Sequence, residues 1–219
     1  MEIVGIDSKR MIAYAQAQKW AVHEETQRVE FQVMDLSSPL SFPDESFDLV
    51  QGRHLSTMLK GEDWPRLLKE CFRMLRLGGI ISLLEGDTWN MGAPPGCPAL
   101  AKLSFLYCEA LSRSGRSFCG GGFGIGVSPV LGVFLDEAGF KQIDQQPYLV
   151  ELFYKTKAYD EHLQNAIAQL KLTQPFLTAT GVAIQRELDQ LYPQAVEELR
   201  SREFHCHSFY VLSLASRLD

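Results

Sequence analysis

The chain has 219 residues, 46% of them apolar and 22% charged, with a formal net charge of −6. That length can bury a sizeable core and sits near the upper end of a single domain, and the acidic balance argues against the basic face that non-specific nucleic-acid binding requires. No apolar run approaches membrane-spanning length and nothing reads as a basic-then-apolar leader, so no membrane partner is expected. The five scattered cysteines (Cys71, Cys97, Cys108, Cys119 and Cys206) form no CxxC pair, so neither a disulfide framework nor a zinc knuckle is suggested and a reduced, cytoplasmic protein is the expectation.

Along the chain, strand and helix alternate. Ile3-Val4-Gly5-Ile6-Asp7-Ser8 reads as a short buried strand that ends in an acid. A helix follows at once over 8–22, with Ser8 as its N-cap and Met11, Ile12 and Ala15 on one side. Val29, Phe31 and Val33 alternate with Glu30 and Gln32, the pattern of a strand wet on one face, closing at Met34-Asp35. A turn-rich stretch leads to Phe47-Asp48-Leu49-Val50, read as a short buried strand. Trp64, Leu67, Leu68, Cys71, Phe72 and Leu75 then make one apolar helical stripe, ended by Gly78 and Gly79. Ile80-Ile81-Ser82-Leu83-Leu84 is the next strand, closed by Glu85.

The remainder reads as a Gly/Pro-rich loop over 89–97 and a helix over 98–113 with Leu100, Leu103, Tyr107, Ala110 and Leu111 inward. A glycine cluster at 120–126 precedes a helix over 128–138 that Gly139 stops, and a strand over 140–144. Residues 148–154 are extended or helical. Helices are expected over 159–172 and 179–191, and a last strand over 204–214. The alternation implies an α/β fold with a mostly parallel sheet, helices on both faces and a final antiparallel strand.

Ligands of such sheets sit at the carboxyl ends of the strands, and three of those ends here carry acids, Asp7, Asp35 and Glu85. Asp7 is placed to accept both hydroxyls of a ribose. Asp35 is placed to accept from an adenine amino group, with the Leu36 backbone N–H beside it. The bland alternative is that each acid only starts a turn or caps a helix. Gly122-Phe123-Gly124-Ile125-Gly126 imitates a phosphate-binding turn, but the preceding Ser112-Arg113-Ser114-Gly115-Arg116-Ser117 is no buried strand. His205 and His207 share a strand face without a third metal ligand in view, and no metal is expected. His23 reads as a helix-end residue. Asp160, Glu161, Glu187, Glu197 and Glu198 read as solvated helix faces.

Three runs, IVGIDSKRMIAYAQA, VEFQVMDLSSPLSFPDESFDLV and LLKECFRMLRLGGIISLLEGD, resemble the class I S-adenosylmethionine-dependent methyltransferases of the small-molecule type. The LSFPDESFDLV stretch is the most specific of them. The resemblance implies a Rossmann-like sheet forming one domain over 1–219: a cofactor half at 1–87, a substrate and cap region at 88–203, and the last strand at 204–219. It implies S-adenosyl-L-methionine as cofactor, with Asp7 on the ribose, Met11 near the adenine, and Asp35 and Leu36 on the adenine edge. Gln51, Gly52 and Arg53 fall where the family contacts the methionine part, and His54 faces the acceptor.

One departure from the family pattern stands out. Its first strand and glycine-rich turn belong ahead of Ile3, so the fold is expected to be N-terminally truncated and cofactor binding weak or absent. The strands ending at Asp7 and Val50 should then pair directly, bracket a gap, or be bridged by a second copy in a homo-oligomer.

Methyl transfer needs in-line positioning and, for an acceptor that must lose a proton, a base. His54 is the first candidate base and Tyr107 the second. The acceptor, a small and partly apolar molecule, is expected among Trp89, Phe105, Tyr107, Phe118 and Phe123. The rival readings are a non-catalytic methyltransferase-like binding or scaffold protein and a nicotinamide-dependent dehydrogenase. The latter lacks a GxGxxG ahead of Asp7.

Overall fold

The computed structural model describes residues 2–18, 29–86, 96–119, 124–153 and 159–218. They divide into two compact units, Met1–Pro43 and Asp44–Asp219. The first unit contains β1 (Ile3–Asp7), α1 (Lys9–Gln18) and β2 (Val29–Val33). β1 and β2 pair in parallel, with Ile3 opposite Val29 and Asp7 opposite Val33. Gly5 makes the close approach possible: a Cβ there would come within 3.0 Å of the Phe31 ring. Residues 19–28, which include His23, lie outside the described residues.

The second unit contains β3 (Phe47–Arg53), α2 (Trp64–Met74), β4 (Leu75–Gly86), α3 (Pro98–Arg113) and α4 (Ser128–Glu137). It continues with β5 (Lys141–Phe153), α5 (Tyr159–Ala179), α6 (Gln185–Arg200) and β6 (His205–Ser216). Its sheet has the order β3-β4-β6-β5. β3 and β4 are parallel, and β6 is antiparallel to both β4 and β5. So β3, β4 and β5 share one direction and the last strand alone opposes them, as the alternation of elements implies. β4 lies inside the sheet and buries Ile81 and Leu83. The apolar stripe of α2 buries Trp64, Leu67, Leu68 and Cys71, and α3 buries each of its five expected inward residues. Every such leucine contributes about 1.5–3 kcal/mol by leaving water. α3, α5 and α6 pack on one another and α2 packs on α4.

Several elements differ from the sequence reading. The Phe47 strand runs on to Arg53 and is an edge strand, so Leu49 is 56% exposed rather than buried. Gly78 and Gly79 do not stop α2. The helix ends at Met74 because Leu75 is already extended (φ −73°, ψ 142°), and the glycines lie inside β4. There Phe47 pairs with Leu75 but Leu49 with Ile80, so residues 76–79 bulge out of the ladder, and Gly78 takes the φ of +80° that the bulge needs. Residues 148–153 are strand, resolved by pairing along β6. Pro175 and Pro193 sit within α5 and α6. The break between those helices falls at 180–184, where Gly181 has φ +69°, and so lies downstream of the expected gap at 173–178.

Glu198 is not a solvated face residue. Its two carboxylate oxygens accept the amides of Ala99 (2.9 Å) and Leu100 (2.8 Å), capping α3 from α6. Gly122 and Phe123 of the phosphate-turn imitation lie outside the described residues; at its described end Phe118 N–H donates to the Ile125 carbonyl at 2.7 Å, and the Ser117 hydroxyl donates to the Gly124 carbonyl at 2.8 Å. Residues 114–119 ahead of it contain no strand.

Candidate active site

In the first unit, Asp7 and Asp35 stand at the same end of the parallel pair. Asp7 closes β1 opposite Val33, Asp35 follows β2 by two residues, and the Met34 N–H donates to the Asp7 carbonyl at 3.2 Å. That end is the carboxyl end, where a nucleotide would be met. The Asp7 Oδ1 accepts the Ser8 N–H at 2.6 Å, and its Oδ2 has no hydrogen-bond partner among the described residues. Asp35 is already engaged locally: its Oδ1 accepts both the backbone N–H (2.8 Å) and the hydroxyl (2.7 Å) of Ser37, an Asx-type turn. Any bond to an adenine amino group has to coexist with that turn. Met11 is 48% exposed on α1, and Leu36 is partly buried directly after Asp35.

In the second unit, Gln51 and Arg53 are exposed at the carboxyl end of β3, with Gly52 between them. A Cβ on Gly52 would sit 2.8 Å from Leu55 Cδ1 and 3.0 Å from Leu83 Cδ2, so a side chain there would displace the ends of those two leucines. His54 follows in a left-handed conformation (φ 56°, ψ 31°). For a residue with a Cβ this costs on the order of 1–3 kcal/mol, and such strain concentrates at functional positions. The His54 N–H continues the ladder to the Leu84 carbonyl at 3.0 Å, and the His54 carbonyl accepts the Thr57 amide (3.2 Å) and hydroxyl (2.8 Å). The imidazole is open to solvent on one side. On the other it meets the Tyr210 ring edge-on, with centroids 5.6 Å apart and planes at 71°. Desolvation by the protein, and then the neighbouring Arg53 charge, lower its pKa below the ordinary value of 6.5. The imidazole is therefore mostly neutral near pH 7, the form a general base needs.

Tyr210 was not singled out by the sequence. It lies on β6 opposite Gly86, so the antiparallel strand carries it to the carboxyl end of β4. Burial raises its pKa, with a Ser208 hydrogen bond opposing. Nothing local in the sequence marks this meeting, which is a product of β6 lying beside β4. Glu85, the third strand-end acid, is fully buried. It accepts from Leu55 N–H (2.8 Å), Ser56 N–H (3.1 Å) and the Ser56 hydroxyl (2.7 Å), and so is committed to the loop that presents His54. Tyr107 is buried in α3, edge-on to Phe176 at 6.0 Å, and burial pushes its pKa up to about 12. That makes its phenolate scarce at neutral pH and weakens it as a base. Phe105 is 44% exposed on α3, and Phe118 packs against Phe134 at 5.7 Å. Trp89 and Phe123, with the rest of the loop 87–95 and residues 120–123, lie outside the described residues.

His205 and His207 are exposed on one face of β6, His207 lying 3.9 Å from Glu151. Among the described residues no group of three or more His, Cys, Asp or Glu side chains is arranged to hold a metal. No helix among them is long and apolar enough to cross a membrane.

Residues 1–83 match the family model described as a methyltransferase domain. Over 107 residues the chain is 26% identical to the methyltransferase pytC of Aspergillus terreus, a match that spans 48% of this chain and 30% of that protein. Among solved structures, a Bacillus halodurans protein assigned as a methyltransferase superposes with a TM-score of 0.56 at 16% identity, covering 100% of this chain and 84% of that one. The Haemonchus contortus phosphoethanolamine N-methyltransferase 2, solved with S-adenosyl-L-methionine, gives 0.53 at 19% identity over 100% of this chain and 44% of its own. The [4+2]-cyclase SpnF gives 0.55 at 18% identity, with 100% and 68% covered. The resemblance read from the three motif runs stands: the fold is that of the class I S-adenosylmethionine-dependent methyltransferases, with the methyltransferase domain match at its N-terminal end.

Proposed function

We propose that the chain transfers a methyl group from S-adenosyl-L-methionine to a small-molecule acceptor. The observation that carries this reading is the carboxyl-end placement of Asp7 and Asp35 on a parallel strand pair, inside the stretch that matches a methyltransferase domain. The cofactor would supply an electrophilic methyl on a sulfonium, a reaction that asks little of the protein beyond alignment and exclusion of water. Asp7 binds the ribose, Met11 lies by the adenine, and Asp35 and the Leu36 N–H take the adenine edge. Gln51 and Arg53 contact the amino-acid part. His54, neutral near pH 7, accepts the proton that an ionisable acceptor loses. On this reading residues 1–87 are the cofactor half and 88–203 the substrate and cap region.

Photo-crosslinking with labelled cofactor tests the nucleotide assignment. Crosslinking that Asp7→Ala abolishes supports the reading, whereas crosslinking indifferent to Asp7 removes the ribose assignment. With acceptor present, His54→Ala should lower turnover by about 100-fold and leave cofactor affinity unchanged. The second reading is binding without methyl transfer. It is favoured by the fold being shared with a protein described as a cyclase, since a fold does not dictate its chemistry. Cofactor crosslinking with no transfer to any acceptor would decide for it.

A further inference from the structure

Glu85 is a carboxylate with no exposed surface at the end of an interior strand. A buried acid is costly unless its oxygens are hydrogen-bonded. Three of the donors that meet it belong to Leu55 and Ser56, the two residues that follow His54. Ser56 is itself 1% exposed. On the other side, the His54 N–H is held by the Leu84 carbonyl, the residue before Glu85. The peptide groups flanking His54 are therefore both fastened to the end of β4, one by the ladder and the other by the carboxylate.

We propose that Glu85 is a positioning residue: by holding the Leu55 and Ser56 amides it keeps His54 in its left-handed backbone and so keeps the imidazole edge-on to Tyr210. The proposal deepens the reading of His54 as base and rests on it. Without the carboxylate, the peptide group after His54 loses its anchor, and a residue with a Cβ relaxes to negative φ. The Cβ then swings and the imidazole leaves Tyr210. Among the described residues, the ionisable groups shown to act on the ring are Arg53 beside it in the chain and Tyr210 on β6, which Tyr148 of β5 faces in register. Arg53 and desolvation disfavour the imidazolium, so a displaced ring titrates higher.

The test uses the full chain with Glu85→Gln, which keeps the volume of the side chain but places an amide –NH2 where one carboxylate oxygen accepted. Proton NMR follows the His54 ring protons through a pH titration and their cross-relaxation with the Tyr210 ring. In the unaltered chain we expect titration below 6.5 and a clear Tyr210 contact. In Glu85→Gln the titration should move up toward 6.5 and the contact should fade. Turnover should drop about tenfold or more, with no further loss on adding His54→Ala. A folded Glu85→Gln chain whose His54 titration and Tyr210 contact are unchanged overturns the proposal. If both change while turnover does not, positioning stands and the base role of His54 falls. Should Glu85→Gln fail to fold, Ser56→Ala, which removes one of the three bonds and no charge, decides by the same readouts in smaller steps.

Discussion

At the scale of single residues, His54 combines an unfavourable backbone with a ring that has a neighbour to meet. Replacing it by glycine relieves about 1–3 kcal/mol of strain, costs about 0.5–1 in unfolded-chain entropy and loses about 0.5–1.5 from the contact with Tyr210. These terms nearly cancel. Denaturant titration of His54→Gly should therefore show a stability within about 1 kcal/mol of the parent, while methyl transfer falls on the proposed mechanism. A loss above about 2 kcal/mol would mean that the ring holds the loop rather than serving the acceptor. The pH dependence has a definite sign. The unfolded imidazole protonates near 6.5 and the folded one only at lower pH. Below 6.5 the unfolded state binds more protons, so this group's contribution to stability is full above that pH and is lost as pH falls toward the folded value. Unfolding midpoints measured down from about pH 8 should fall less steeply in His54→Gly than in the parent within that window. Equal slopes would contradict the lowered pKa.

At the scale of elements, helix ends here are satisfied by distant side chains. The N-terminus of α3 begins at Pro98, which donates nothing, and its next two amides go to Glu198 of α6. The C-terminus of α2 is met by Arg217, whose guanidinium donates to the carbonyls of Phe72, Arg73 and Leu75 at 3.2, 3.1 and 2.6 Å and pairs with Glu45 at 2.9 Å. Glu198→Gln keeps one acceptor and removes the charge at a helix N-terminus, and should cost about 1–2 kcal/mol. Urea unfolding reads it as a lower midpoint with an unchanged slope. A midpoint that does not move would make Glu198 a bystander. Gly139 ends α4 with φ +106°, its Cβ position 3.2 Å from the Phe72 ring, and Phe72 packs edge-on against the fully buried Phe140 at 5.2 Å. Gly139→Ala therefore meets both backbone strain and a tight neighbour, and a loss of about 2 kcal/mol is expected by the same measurement.

At the scale of the whole molecule, the two compact units are unequal. Asp44–Asp219 contains Trp64, Leu68, Ile81, Leu100, Leu131, Phe140 and Phe204, all with under 2% exposure. Among the described residues of Met1–Pro43 the buried apolar ones are Ile12 and Leu40. A unit that small buries too little surface to offset its chain entropy. A chain of residues 44–219 should unfold cooperatively on its own, and a chain of residues 1–43 should show no unfolding transition by circular dichroism. A cooperative transition in the short piece, or none in the long one, would reverse this assignment of stability.

The local elements were legible because their signals are local. The stripe from Trp64 to Cys71 and the inward face of α3 repeat at the period of their own helix, the glycine after α4 is a one-residue stop signal, and the structure returns each of them. β2 forms as a strand, but Val33 is 57% exposed, so its alternation does not sort it into a wet and a dry face. The motif runs were enough to recognise the fold and to place Asp7 and Asp35 at one strand end. What neighbours each strand was not legible. The edge position of β3 left Leu49 exposed, and the bulge at Gly78 turned a presumed helix stop into strand. The carboxylate of Glu85 reaches residues 29 and 30 positions away, and that of Glu198 residues 98 and 99 away. Tyr210 meets His54 only because β6 inserts between β4 and β5 and runs backwards. A side chain's chemistry is set by its residue type, but its partner is set by which strands and helices become neighbours. By itself the sequence determined the order of most elements, the fold and the acids at the strand ends. The tertiary structure alone decided that Asp7 Oδ2 has no hydrogen-bond partner among the described residues while Glu85 holds the loop that presents His54.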